Sequence, residues 1–203
     1  MNPQIAELVD RIKALEAELD AELARQRAKL AFGLERGRIV FEQEILRRHR
    51  ELQVSLAKYV LGARPLVVLT APVIYALIVP LVLLDLFVTL YQAICFPVYG
   101  IAKARRGDYL VFDRHHLAYL NALEKLNCAY CSYANGLIAF TREIAARTEE
   151  YWCPIKHARR AVGTHARYAG FEDYGDAEGF RRDLDAHRKS LGKSLERDAG
   201  KTP

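Results

Sequence analysis

The pattern of hydrophobic and polar positions divides the chain into a polar N-terminal part, one long apolar segment and a polar C-terminal part. The apolar segment runs from Pro65 to Ala102 and contains a single charged residue, Asp85. About 20 apolar residues are enough for a helix to cross a bilayer. A soluble core helix of this length would show a polar face, and none is visible. The pattern therefore predicts a membrane segment over residues 65–102.

Two arrangements of this segment in the bilayer are open. A single long helix with bends at Pro72 and Pro80 would place Asp85 near mid-bilayer, where an ionised carboxylate is costly. A hairpin of Leu66–Val82 and Leu86–Ile101 would place it near the far-side turn, with arms so short that a re-entrant path also fits. Because basic residues flank the segment on both sides, the positive-inside rule favours the hairpin, with both termini cytoplasmic. These residues are Arg47, Arg48, Arg50, Lys58 and Arg64 before the segment, and Lys103, Arg105 and Arg106 after it.

Residues 1–64 show the periodicity of amphipathic helices. A first apolar stripe has the alternating three- and four-residue steps of a coiled coil; it contains Ile5, Leu8, Ile12, Leu15 and Leu19. The stripe fades before Gly33 and Gly37, and fewer than three clean heptads are too few for a long coiled coil. A second stripe approaches the membrane segment through Phe41, Ile45, Leu52, Leu56 and Tyr59. The region predicts helices that either pack on the rest of the protein or bind a second copy or another protein through the first helix.

The cysteines carry the candidate chemistry. Cys128 and Cys131 form a Cys-x2-Cys pair, and after a gap of 21 residues Cys153 and His157 form a Cys-x3-His pair. Three thiols and one imidazole are a natural tetrahedral ligand set for structural zinc, and three clustered cysteines are an awkward number for disulfides. Pro154 keeps an iron–sulfur cluster open as an alternative, because Cys-Pro recurs at cluster ligands. Small buried thiols without a metal are the third alternative.

The C-terminal part divides into a helical metal-knuckle domain, residues 103–170, and a polar, partly disordered tail, residues 171–203. Leucines repeat every three residues from Leu117 to Leu126, and Asn127 and the turn signal Asn135-Gly136 predict helix ends around the Cys-x2-Cys pair. A second helix is predicted over Leu137–Trp152. Basic residues follow the Cys-x3-His pair, and a marginal helix is predicted over Ala177–Leu195.

The pair Asp113 and His116, with the adjacent His115, suggests a second metal cluster, because a carboxylate and a histidine three apart share one helix face. Three glutamates would be needed to complete a di-iron site: Glu143, Glu149 and Glu150. Such sites use two repeated Glu-x-x-His units, and the chain has none. A surface or interfacial role for these residues is therefore favoured over catalysis.

The segment Leu126–His157, with Leu-Asn-Cys-Ala-Tyr-Cys-Ser-Tyr-Ala-Asn-Gly and Tyr-Trp-Cys-Pro-Ile-Lys-His, resembles a group of uncharacterised bacterial membrane proteins. The likeness covers about Phe41 to Tyr174. It implies a bacterial membrane protein, placed in the inner membrane, and it implies no activity and no catalytic residue.

The remaining composition gives no signature of a known enzyme or nucleic-acid-binding class. The net charge is +5 with acidic and basic residues mixed, which does not imply a polyanion partner. The chain has no phosphate-binding loop and no Gly-x-Ser-x-Gly or His-Glu-x-x-His motif. The sequence predicts a mainly α, membrane-anchored accessory or scaffold protein with a structural Cys3His zinc site. The alternative is a membrane-bound redox or metal-handling protein using the same four residues.

Overall fold

In a computed structural model the protein is mainly helical, as predicted. The structure describes residues 3–28, 32–35, 38–41 and 43–199, with side chains for 7–26 and 45–192. Seven α-helices and one two-stranded sheet occur in these residues. In chain order they are α1 (Pro3–Ala28), β1 (Phe32–Glu35), β2 (Arg38–Phe41), α2 (Gln43–Glu51), α3 (Leu56–Leu61), α4 (Pro65–Ala76), α5 (Ile78–Tyr99), α6 (Ala122–Trp152) and α7 (Ala177–Ala199). Short 3-10 turns lie at Arg106–Asp108, Arg114–His116 and Ala166–Gly170.

The chain forms two compact units. Unit 1 includes Val82–Tyr109 and the chain from Leu137 onward, and unit 2 includes Arg11–Leu81 and Leu110–Gly136. Helix α6 therefore contributes its first half to unit 2 and its second half to unit 1.

The N-terminal region is only partly helical. Helix α1 confirms the first predicted helix, and its apolar stripe is exposed: the exposed fractions of Leu8, Ile12, Leu15 and Leu19 are 56–59%. The prediction of helices throughout residues 1–64 is wrong at β1 and β2, which pair as an antiparallel hairpin with Phe32 opposite Phe41, whereas α2 and α3 confirm helix along much of the second stripe. The run Arg-Ile-Val-Phe in β2 is rich in residues that favour strands. Of the two glycines, Gly33 lies in β1, and Gly37 lies outside the described residues.

The apolar segment is helical, but it does not form the favoured hairpin. Helix α5 continues through Asp85, the residue expected near the turn. The interruption lies instead at Leu77, between α4 and α5. Pro80 has no N–H to donate to the carbonyl of Ala76, the last residue of α4, and its ring crowds that carbonyl. Pro72, by contrast, is accommodated inside α4.

The chain reverses direction after α5 at Gly100. Gly100 has φ +68°, and its N–H donates to Pro97 while the N–H of Ile101 donates to Phe96, at 3.3 and 2.9 Å. This is the Schellman pattern that ends helices at a residue in the left-handed region, where glycine has no steric penalty. The following residues run back beside α5: the N–H of Ala104 donates to Oε1 of Gln92 at 2.7 Å.

The returning segment also supplies a partner for Asp85. Both carboxylate oxygens of Asp85 bind the guanidinium of Arg106, one of them at 2.6 Å, and Thr89 donates to the same carboxylate at 3.2 Å. An ionised group in an apolar segment is costly unless it is paired. The single charge of the segment is therefore balanced within unit 1.

Helix α6 begins at a capping box that the sequence analysis overlooked. Oδ1 of Asn121 accepts from the N–H groups of Leu123 and Glu124, each at 3.0 Å, and Glu124 accepts from the N–H of Asn121 at 2.9 Å. This reciprocal arrangement satisfies amide groups that a helix start leaves without partners. The helix then runs unbroken to Trp152, so the predicted helix end at Asn127 and turn at Asn135-Gly136 are wrong.

The core of unit 1 lies between α5, the returning segment, the second half of α6 and α7. Its fully buried large side chains are Phe96, Leu137, Phe140 and Leu191. The predicted helix over Ala177–Leu195 is confirmed and extends to Ala199. Two residues of the region predicted as a polar tail are buried: the exposed fractions of Phe171 and Leu191 are 2% and 1%.

Candidate functional site

The four predicted metal ligands lie in different local structures. Cys128 and Cys131 are three residues apart inside α6, Cys153 directly follows the last residue of this helix, and His157 lies in the loop beyond. All 21 residues between Cys131 and Cys153 belong to α6, and an α-helix of that length extends about 30 Å. One metal ion cannot contact both Cys131 and Cys153 while α6 is intact. Among the described residues, no group of three or more His, Cys, Asp or Glu side chains is arranged to hold a metal.

Cys153 and His157 have different neighbours in the structure. Burial raises the pKa of the Cys153 thiol, and the nearby Glu149 carboxylate raises it further. The backbone N–H of His157 donates to the hydroxyl of Tyr168 at 2.6 Å, and the two rings stack. In this structure His157 is held by an aromatic neighbour.

The second half of α6 carries a charged cluster that the sequence analysis did not identify. Arg147, whose side chain is 7% exposed, donates from Nε to Glu143 at 2.8 Å and from Nη1 to the carbonyl of Ala102 at 2.6 Å. Arg167 joins the cluster and donates to Glu143 at 3.1 Å and to Glu150 at 2.7 Å. Two arginines therefore share the carboxylate of Glu143 in a partly buried position.

The two glutamates of this cluster favour the ionised form of Arg167. Burial by itself lowers the pKa of the Arg167 guanidinium, but hydrogen bonds and charges from Glu150 and Glu143 outweigh this effect and raise it. A partly buried arginine in contact with two carboxylates stays ionised, and its removal would leave Glu150 without this arginine and Glu143 with Arg147 alone.

Helix α7 is attached to the same cluster. His187 lies between two carboxylates, with Nδ1 3.6 Å from Glu150 and Nε2 3.5 Å from Glu172, and Ser190 donates to Glu150 at 3.1 Å. Arg188 adds a contact to the carbonyl of Tyr151 at 3.2 Å, with its guanidinium 5.0 Å from the ring centroid. The cluster thus joins α6, the loop before α7 and α7 itself.

Chemically the cluster is a structural clamp. The carboxylates of Glu143 and Glu150 are bound by arginine side chains of the protein itself. A catalytic acid or base, by contrast, needs an atom that reaches a substrate. Part of the charged cluster could have been predicted from the sequence, because Glu143, Arg147 and Glu150 share one helix face at steps of four and three residues. Arg167 and His187 could not be assigned, because their partners lie 15 to 37 residues away in the chain.

The histidine pair next to Asp113 lies in unit 2. His115 and His116 belong to the 3-10 turn Arg114–His116, their ring centroids are 3.8 Å apart, and Nδ1 of His115 donates to the carbonyl of Phe112. The glutamates suggested for a di-iron site belong to unit 1, where Glu143 and Glu150 are part of the charged cluster and Glu149 lies 2.9 Å from His165. The prediction of a surface role for Asp113 and His115 agrees with their exposure.

Helices α4 and α5 leave many large hydrophobic side chains exposed. Among the described residues, these helices form the one helical segment that is long and apolar enough to cross a membrane, and its most apolar window has a mean hydropathy of 2.6 with no residue buried. On α5 the exposed apolar side chains are Val79, Val82, Leu83, Leu84, Leu86, Phe87, Leu90, Ile94 and Val98. The other side of α5 packs on its own unit through Gln92 and Phe96.

Comparison with known proteins adds no identification: no family model, no curated protein and no solved structure matches the chain. The resemblance to bacterial membrane proteins therefore stays a prediction from the sequence.

Proposed function

We propose that the protein is a membrane-anchored accessory or scaffold protein. The exposed apolar surface of residues 65–99 carries this proposal, because soluble proteins rarely leave a patch of this kind uncovered. The clamped arrangement of α6 and α7 supports a rigid domain that presents surfaces to a partner. A bacterial inner membrane is the location that the sequence resemblance implies.

We further propose that the apolar segment enters the bilayer and returns to the same side. Basic residues on both flanks of the segment agree with this, because the positive-inside rule keeps such flanks in the cytoplasm.

Membrane retention is the first test. The protein is expected to stay in the membrane fraction after high-salt and carbonate washing, because burial of apolar surface is insensitive to both treatments. Immunoblotting of the washed pellets measures this. Reporter domains fused before Pro65 and after Ala102 are expected to register on the cytoplasmic side. Recovery in the soluble fraction would exclude the anchor, and reporters on opposite sides would exclude the re-entrant path.

Zinc bound by Cys128, Cys131, Cys153 and His157 is a second proposal, supported by ligand chemistry alone. It requires α6 to open between Cys131 and Cys153, since the intact helix keeps these thiols apart. The redox alternative places an iron–sulfur cluster at the same residues.

Metal analysis of the detergent-purified protein tests the zinc proposal. About one zinc per chain is expected if the site forms, with loss of the metal in Cys153→Ser, because a serine hydroxyl is not ionised at neutral pH. Cys95→Ser is the matched control, since Cys95 lies outside the ligand set. Bound iron with visible absorbance would favour the cluster. Purified protein without stoichiometric metal would contradict the zinc proposal.

A further inference from the structure

A small basic pocket lies in unit 2, between the 3-10 turn Arg114–His116 and the first half of α6. The residues around it include Phe112, Arg114, His115, Lys125, Cys128 and Ser132, and its volume is about 30 Å³. A cavity of this size holds a few water-sized groups. It admits a single small polar group and excludes a whole nucleotide or sugar.

The charges around the pocket are all of one sign. Arg114 and Lys125 are positively charged, and no acidic side chain lines the pocket. Within the part of the chain that the structure describes, no carboxylate pairs with Arg114 or Lys125. The bond from Nδ1 of His115 to the carbonyl of Phe112 fixes that ring at the pocket wall. Like charges brought together are stabilised by an anion, and Ser132 offers a further hydroxyl donor.

The surroundings of the pocket are apolar and exposed. Val111, Phe112 and Leu126 have exposed fractions of 51%, 45% and 56%. In the same unit α6 is attached to α4, because the hydroxyl of Tyr130 donates to the carbonyl of Ile74 at 2.8 Å. A ligand that fits these features has a phosphate group for the basic pocket and an apolar body for the side chains around it.

We propose that this pocket binds the phosphate group of an anionic phospholipid. The inference deepens the proposed membrane anchoring and rests on it. Free phosphate shares the same headgroup chemistry, so both sources are compared. Arginine and lysine bind phosphate oxygens through charge-assisted hydrogen bonds, which are stronger than those between neutral groups.

Titration of the full-length protein in zwitterionic detergent tests the pocket. The probes are dihexanoyl phosphatidic acid and inorganic phosphate, and the readout is the dissociation constant from calorimetry. The double variant Arg114→Gln/Lys125→Gln is expected to bind the lipid about tenfold more weakly or worse, because two charged contacts are lost. The matched control Arg159→Gln/Arg160→Gln removes the same charge from exposed positions outside the pocket. It is expected to bind as the wild type does.

The outcomes separate the pocket from the membrane anchor. The proposed pocket would be contradicted if the wild type and the double variant bound the lipid equally tightly. It would also be contradicted if the control variant lost as much affinity for the lipid as the double variant. If inorganic phosphate bound as tightly as the lipid, the proposal of a phospholipid ligand would be contradicted, and a soluble phosphate would be favoured. Flotation with phosphatidylcholine vesicles tests the anchor alone, and a protein that fails to float contradicts the membrane proposal whatever the titration shows. If the double variant misfolds, Lys125→Gln alone is expected to weaken lipid binding measurably.

Discussion

Replacing Arg147 with alanine is expected to lower the free energy of unfolding by about 3 kcal/mol, the lower end of the range for breaking a buried ion pair. The side chain is 7% exposed and binds both Glu143 and the carbonyl of Ala102. Its removal leaves a partly buried carboxylate and a buried carbonyl short of donors. Arg167 remains beside Glu143 and compensates part of the loss, which is why the lower end is expected.

Chemical denaturation in detergent, followed by circular dichroism, measures this difference. Arg182→Ala is the matched control, because Arg182 forms an exposed pair with Asp183 and exposed pairs contribute little. A difference for Arg147→Ala no larger than that of the control would show that the charged cluster does not stabilise unit 1.

Replacing Phe140 with alanine is expected to lower the free energy of unfolding by about 3–5 kcal/mol, the usual cost of truncating a buried phenylalanine. Phe140 is 1% exposed; its ring lies 5.9 Å from that of Tyr109, and the guanidinium of Arg106 lies 6.0 Å from its centroid. The cavity would remove contacts that hold the returning segment against α6. Limited proteolysis is therefore expected to cut near Arg105 and Arg106 more readily.

Ile138→Ala is the control for this variant, since Ile138 lies on the same helix with 56% of its surface exposed. Its effect is expected to be within about 0.5 kcal/mol, as for most surface substitutions. Similar losses in the two variants would place the core of unit 1 elsewhere on α6.

Several elements could be predicted because their signals are local. The helical apolar segment follows from its composition, and the first stripe of α1 follows from its periodicity. The start of α6 was equally readable, because Asn121 and Glu124 have the spacing of a capping box. Its length was mispredicted because Asn135-Gly136 carries a turn signal that is overridden when the neighbouring Leu137 and Phe140 pack in the core.

The candidate sites also divide into features with a local signal in the sequence and features without one. The cysteine spacing predicts zinc through ligand chemistry, whereas only the structure shows that one continuous helix joins Cys131 to the residue before Cys153. The charged cluster and the basic pocket each combine side chains from segments that are remote in sequence. Periodicity within one helix gives no information about such partners.

By itself the sequence determined that the protein is mainly helical and that residues 65–99 are apolar enough for a membrane, because both properties depend on neighbouring residues along the chain. The tertiary structure decided where the chain turns back, which partner neutralises Asp85 and which carboxylates surround Arg147 and Arg167. These depend on free-energy differences between distant pairings: an ion pair forms where burial and geometry favour it, and residue spacing alone does not specify that place.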